Sequence, residues 1–327
     1  MNVLVAIYSP FAAWNIPASH VERLRRDFPG HTFHHARTGE DVPPLIGAAE
    51  VAFASELRPP HLAAAARLRW VHSPAAGIGS MLFPEMIASP VTISNSRGMS
   101  ADTIAEHVIG LTIAVFRKFP LAGRRQAERR WAQDEAIQPP PLRTIQSSHV
   151  LVVGLGSIGA ACARRFAALG AMVSGIRRRT GQPAPVGVSR VGPPAVLLEF
   201  LRGADVVVIA AAQTKETRRM IGEAELGAMK PEAILINVSR GKLVDEAALA
   251  RALAGGTIGG AGLDVFEHEP LDPASPLWAL PNVLITPHMS GFRADHWDAA
   301  TDLFAENLRR LEAGRPLLNV VDKTAGY

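Results

Sequence analysis

A single cysteine, Cys162, stands in a chain of 327 residues, so no disulfide can form within it. Such cysteine usage fits a reducing cytoplasm. No apolar run approaches the ~20 residues that a membrane-spanning helix needs. The first strand candidate lacks a basic leader and a cleavage site, so it does not read as a signal peptide. A cytoplasmic protein with no membrane partner is therefore expected. His31, His34 and His35 come without a cysteine or carboxylate cluster, and strand alternation puts His34 and His35 on opposite faces. No metal is expected there. The formal net charge is only +4. Its one arginine cluster, Arg124, Arg125, Arg129 and Arg130, is interrupted by Glu128. That reads as a solvated face or subunit contact, and no nucleic-acid partner is expected. Internal repeats and low-complexity segments are absent too.

What is present is apolar residue, 48% of the chain, enough for two cores. At ~150 residues per domain the length suggests two domains. The chain is organised around Val150 to Gly159, Val-Leu-Val-Val-Gly-Leu-Gly-Ser-Ile-Gly. Four apolar residues make a buried strand that runs into Gly154, Gly156 and Gly159. A helical stretch, Ala160 to Leu169, follows, with Gly170 as a stop signal and Cys162 as a small packing residue. In a strand–loop–helix context the first glycine makes a tight turn and the second lets backbone approach a pyrophosphate. The third lets helix pack on strand. The helix N-terminus offers N–H groups and a positive dipole end to phosphates.

Strand candidates before this unit are Val3–Tyr8, Thr32–His35, Val51–Ala54, Arg69–His72 and Val91–Ser94, with helical stretches such as Pro17–Phe28 between them. That alternation predicts a parallel sheet. The turn Ser73 to Gly79 directly follows a strand, and its small residues could turn backbone N–H groups toward an anion. A long helix is expected from Thr103 to Phe119, ended by Pro120. A polar, Arg-rich arm with Trp131 and a linker with Pro139, Pro140 and Pro141 come next. Ala171–Ile176, Val206–Ala210, Ile234–Val238, Gly260–Val265 and Val283–Thr286 are further strand candidates. Helices are expected near Asp245–Leu253 and Arg293–Ala313. The fold class is α/β. Three segments end in polar residues just past strands: Ile236 to Gly241, Gly262 to Pro270 and Thr286 to Gly291. Ligands of open α/β sheets bind outside the carboxyl ends of strands. Arg240, Asp264, Glu269 and His288 could therefore converge.

The glycine loop, Ser239-Arg-Gly241, Leu263-Asp-Val-Phe-x-x-Glu-Pro270 and Pro287-His-x-x-Gly291, in this order and spacing, resemble the D-isomer-specific 2-hydroxyacid dehydrogenase family. Ala105-Glu-His107 and the Ala76-Gly77 loop match as well. Within that family the chain is similar to NADPH-dependent glyoxylate/hydroxypyruvate reductases. The resemblance implies two Rossmann-like/flavodoxin-like parallel-sheet domains with a cleft between them. Residues 1–98 and 290–327 would form the substrate (catalytic) domain. Residues 99–289 would form the dinucleotide-binding domain, including a dimerisation helix and arm at about 100–140, and the protein would be a homodimer. The implied catalytic residues are Arg240, Glu269 and His288. Arg240 would hold the substrate carboxylate through its planar fork. His288 would be the acid/base, with Glu269 orienting the imidazole and favouring its charged form. Backbone at Ala76, Gly77 and Ile78 would complete the substrate contacts. The implied cofactor residues are Gly154, Gly156, Ser157, Ile158, Gly159, Val238, Ser239, Arg240, Asp264, His288, Ser290 and Gly291.

Two features depart from the family. The loop after Val206–Ile209 reads Ala210-Ala-Ala-Gln-Thr214, without the usual proline. Arg177, Arg178 and Arg179 stand where an acidic residue usually binds the ribose, about 20 residues past the glycines. Arginine there favours a 2′-phosphate, so NADP(H) is expected before NAD(H). The expected reaction is NADPH-dependent reduction of a small 2-oxo acid to the D-2-hydroxy acid. The alternatives are an NAD-dependent D-2-hydroxyacid dehydrogenase of another substrate, such as D-lactate, and a dinucleotide-sensing binding protein of the same fold.

Overall fold

A computed structural model describes residues 1–326 and divides the chain into two compact units. One comprises Met1–Met99 with Arg293–Tyr327, the other Ser100–Phe292. The first unit holds a five-stranded sheet of β1 (Asn2–Ala6), β2 (Thr32–Ala36), β3 (Val51–Ala54), β4 (Trp70–Ser73) and β5 (Thr92–Asn95). All pairings are parallel and the order is β2-β1-β3-β4-β5. The strands are short, and the central β1 and β3 are almost wholly apolar on both faces, as a sheet covered on both sides requires. One face packs on the C-terminal helix His296–Glu312. Phe304 from that helix stacks on Phe53 at 4.4 Å and on Trp70 at 5.3 Å between ring centres. Beneath them lies a buried polar group. Ser94 Oγ accepts from Trp70 Nε1 at 2.8 Å and lies 2.7 Å from His72 Nδ1. Burial pushes the His72 imidazole down to about 3, so it sits in the core as a neutral ring.

The second unit holds seven parallel strands: β6 (His149–Val153), β7 (Met172–Ile176), β8 (Val188–Gly192), β9 (Val206–Ile209), β10 (Ile234–Asn237), β11 (Gly260–Leu263) and β12 (Val283–Ile285). Their order is β12-β11-β10-β9-β6-β7-β8. The order reverses between β6 and β9, the point where a doubly wound sheet leaves a crevice for a ligand. The helix Ala101–Phe116 packs with Leu111 beneath Gly262 of β11, where an added Cβ would lie 3.0 Å from Leu111 Cβ. No helix among the described residues is long and apolar enough to cross a membrane.

Two sequence expectations change. Pro120 does not end the long helix. Lys118 does, in the left-handed conformation at φ 54, two residues past Phe116. Pro120 falls in the first turn of the next helix, Phe119–Ala127, where a missing N–H removes no helical bond. The Arg-rich arm is therefore partly helical, with a further turn at Gln133–Ala136. β8 was not expected at all. Its sequence, Val-Ser-Arg-Val-Gly, sits at the sheet edge with Ser189 and Arg190 exposed, so it carries no apolar run.

Candidate active site

The glycine loop follows β6 directly. Gly154 has φ +98, and a Cβ there would lie 2.5 Å from the Ala211 backbone. At Gly159 it would lie 1.9 Å from the Gly154 carbonyl oxygen. These two glycines let loop, neighbouring strand and helix close on one another. Gly156 differs: a Cβ there meets nothing within 4 Å. Its backbone borders open space, as a residue approached by a pyrophosphate must. Ser157 and Ile158 begin the helix Ser157–Ala168 behind it. The residues present thus fit a dinucleotide.

At the end of β7 the three arginines separate in role. Arg177 Nη2 donates to the carbonyls of Gln182 and Pro183, the latter at 3.1 Å, and so ties down its own loop. Arg178 and Arg179 are exposed. The charge of Arg178 helps hold the Glu216 carboxyl below its usual range, after hydrogen bonds from Thr214 and the backbone. The charge of Arg178 is thus felt in the loop that follows β9.

Past β10, Val238 is buried and the Ser239 hydroxyl donates to the Ala211 carbonyl. Asn237 Nδ2 donates to the Arg240 carbonyl at 3.1 Å, and Asn237 Oδ1 accepts from the Ser239 amide. Gly241 lies against backbone: a Cβ there would sit 1.8 Å from the Phe266 carbonyl carbon. That contact seats the Ser-Arg-Gly loop on the segment that leads to Glu269. Arg240 Nη1 donates to its neighbour Ser239's carbonyl at 2.7 Å. Burial pushes the Arg240 guanidinium down, and the Glu269 carboxylate pulls it back up.

Glu269 Oε2 lies 2.6 Å from His288 Nδ1, and Glu269 Oε1 accepts from the Phe266 amide at 2.9 Å. Burial raises the Glu269 carboxyl. The bonds from His288 and Phe266, with the charges of His288 and Arg240, outweigh this and hold it below the usual carboxylate range. The His288 and Glu269 side chains are 40% and 34% exposed, so a small molecule can reach the pair.

His288 adopts φ +50, uncommon for a residue with a Cβ. Asp264 holds it there. Fully buried, its Oδ1 accepts from the Thr286 hydroxyl at 2.6 Å and the Met289 amide at 2.9 Å. Its Oδ2 accepts from the Ser290 amide at 2.9 Å, and its carbonyl from the His288 amide at 2.8 Å. Ser290 is buried beside it, and Gly291 follows. One residue without an assigned role joins this network. His107 Nε2 lies 3.0 Å from Thr286 Oγ1 and 3.7 Å from Asp264 Oδ1. The Ala105-Glu-His107 signal was in the sequence, but only the fold brings it to Thr286.

Within Ser100–Phe292 the structure thus brings Arg240, Asp264, Glu269 and His288 together. In the other unit Ala76, Gly77 and Ile78 form the turn after β4. The Ala76 carbonyl accepts from Asn95 Nδ2 at 2.7 Å, and that of Ala75 from the Ser96 amide at 3.2 Å. Both bonds turn carbonyls of the loop toward β5.

Comparison with known proteins gives a consistent result. Residues 109–290 match the family described as D-isomer specific 2-hydroxyacid dehydrogenase, NAD binding domain. A glyoxylate reductase of Korarchaeum cryptofilum is 35% identical over 80% of this chain and 78% of its own. A D-isomer specific 2-hydroxyacid dehydrogenase of Xanthobacter autotrophicus, solved with NADPH and MES, is 34% identical with a TM-score of 0.82, covering 99% of both chains. An NADPH-dependent glyoxylate/hydroxypyruvate reductase of Sinorhizobium meliloti, solved with NADP and sulfate, is 26% identical with a TM-score of 0.84, covering 100% of this chain and 99% of that one. The chain belongs to the D-isomer-specific 2-hydroxyacid dehydrogenase family, whose members are NAD(P)-dependent oxidoreductases.

Proposed function

We propose that the protein reduces a small 2-oxo acid, of the glyoxylate or hydroxypyruvate type, to the D-2-hydroxy acid with NADPH. The observation that carries this reading is the 2.6 Å pair of His288 and Glu269, with Arg240 close enough for its charge to act on Glu269. Arg240 takes the substrate carboxylate in a bidentate grip and polarises the adjacent carbonyl. Backbone amides of Ala76, Gly77 and Ile78 bind the same carboxylate. His288, protonated and held through Nδ1 by Glu269, gives its Nε2 proton to the carbonyl oxygen. The nicotinamide supplies the hydride to the carbonyl carbon when bound. Gly154, Gly156, Ser157, Ile158 and Gly159 hold the pyrophosphate. Val238, Ser239, Arg240, Asp264, His288, Ser290 and Gly291 form or support the nicotinamide side. Arg178 and Arg179, with Arg177 bracing their loop, take the 2′-phosphate. The protein works as a homodimer joined through the helix Ala101–Phe116 and the arm after it.

Support comes from the relatives' own names and ligands, since glyoxylate reductases and NADPH complexes recur among them. A panel of 2-oxo acids assayed with NADPH and NADH tests the reading directly. Arg240→Ala should leave NADPH binding nearly intact and cut kcat/KM by about ten- to a hundredfold, since a charge-assisted bond contributes roughly 1.5–3 kcal/mol. Arg240→Lys should recover only part, keeping the charge without the fork. Parent-like kcat/KM in the alanine variant removes Arg240 from the site. NADPH binding without turnover of any 2-oxo acid would make the protein a dinucleotide-binding sensor instead.

A further inference from the structure

The unit of Met1–Met99 and Arg293–Tyr327 carries a pocket of about 230 Å³. Ile7 and Tyr8 line it from the end of β1, and Pro74 from the end of β4. Trp14 comes from the short helical turn after β1, and His296 and Trp297 from the start of the C-terminal helix. The sheet order reverses between β1 and β3, and the pocket lies at the carboxyl ends of those strands and of β4. This is where open α/β sheets of this order bind ligands. The walls are mostly apolar and strongly aromatic. Trp14 meets the His296 ring edge-on at 5.6 Å, and His296 meets Trp297 edge-on at 4.9 Å. Burial and Arg293 push the His296 imidazole down against a smaller upward pull from Asp295, so no wall is charged near neutral pH.

The pocket borders, in chain, the turn that the reading above gives to the substrate carboxylate. Pro74 and Ala75 line it, and Ala76, Gly77 and Ile78 follow in chain. A substrate anchored there by its carboxylate would carry its third carbon one bond beyond the oxo carbon, on a turn whose preceding residues, Pro74 and Ala75, are walls of the pocket. Glyoxylate has no third carbon, and hydroxypyruvate puts a hydroxyl on it. Neither fills an aromatic pocket of this size. An apolar cavity of about 150 Å³ is enough to bind benzene.

We propose that this pocket takes the substrate's side chain, and that the preferred 2-oxo acids carry an aromatic ring, phenylpyruvate before glyoxylate. The proposal rests on the reductase reading and moves its preferred substrate from glyoxylate and hydroxypyruvate to 2-oxo acids with an aromatic side chain. A charged side chain, as in 2-oxoglutarate, would be desolvated against rings without a partner and should be turned over poorly.

The test measures NADPH-dependent kcat/KM for phenylpyruvate, glyoxylate, hydroxypyruvate and 2-oxoglutarate on the full chain. Phenylpyruvate should exceed glyoxylate by on the order of ten- to a hundredfold, the effect of burying a ring-sized apolar group. Ser55, at the end of β3, also lines the pocket. Ser55→Leu fills it and should lower the phenylpyruvate-to-glyoxylate ratio at least tenfold. Trp14→Ala removes the edge-on wall and should lower the same ratio, a second route if the first variant folds poorly, with folding checked by NADPH binding. A ratio at or below one in the parent protein, or a ratio that neither folded variant moves, overturns the proposal while leaving a reductase. No turnover of any of the four acids overturns the reductase reading, and this proposal with it.

Discussion

Glu269 sets the pH behaviour expected at the residue scale. Its carboxyl is held below the usual range in the folded protein, so its contribution is present above the unfolded value of ~4.3 and is lost as pH falls through the lower folded value. Reductive kcat/KM should therefore keep its acid limb below the ordinary carboxylate range. Glu269→Gln should erase that limb and, by removing the group that orients the imidazole, cost roughly ten- to a hundredfold at neutral pH. A variant profile that overlays the parent's, with chemistry rate-limiting, would break the pairing. The arginines give the second prediction. Arg178→Ser should erode the preference for NADPH by about tenfold, one charge-assisted bond, measured as the ratio of kcat/KM for the two cofactors. Arg177→Ser should chiefly loosen the Gln182–Pro183 loop and act on both cofactors alike; a larger loss of preference there would reverse the assignment. Side-chain type and motif spacing made Arg240, Glu269 and His288 legible. They did not reveal that Arg177 bonds its own loop, because carbonyl partners leave no mark in the residue sequence.

Glycines divide the work at the scale of elements. Gly241→Ala drives a Cβ into the Phe266 backbone, which has no rotamer with which to yield. It should destabilise the fold by about 1–3 kcal/mol and displace Arg240, lowering Tm and kcat/KM together. Gly156→Ala meets no protein atom within 4 Å. Its Tm should stay near the parent's while KM for NADPH rises several-fold. The same Tm loss in both variants would mean that the Gly156 backbone is a packing site. Strands of continuous apolar residues, such as β3 and β9, were readable from sequence because burial on both faces demands that pattern. β8 was not, since an edge strand tolerates Ser189 and Arg190. Pro120 misled because proline is forbidden inside a helix but welcome in its first turn, and only the backbone turn at Lys118 decides between the two.

For the whole molecule, the two sheets and the family were legible, because strand–helix alternation and a motif series covering most of the chain admit few alternatives. Ligand linkage should be visible at this scale. NADPH at a hundred times its Kd should add about 2.7 kcal/mol of stability and raise Tm by a few degrees, with hydrogen-exchange protection centred on Val150–Gly159 and the loops at Arg178 and Ser239. Protection only in Met1–Met99 would place the dinucleotide elsewhere. The Phe304 contacts carry a consequence for biosynthesis. Phe53 and Trp70 are made early, yet the ring that covers them belongs to the helix His296–Glu312. At ~5–20 residues per second a ribosome needs roughly 10–40 s to translate the intervening unit. During that interval the patch of Phe53 and Trp70 waits without its cover on the nascent chain, a natural landing place for a chaperone, while Ser100–Phe292 can finish first.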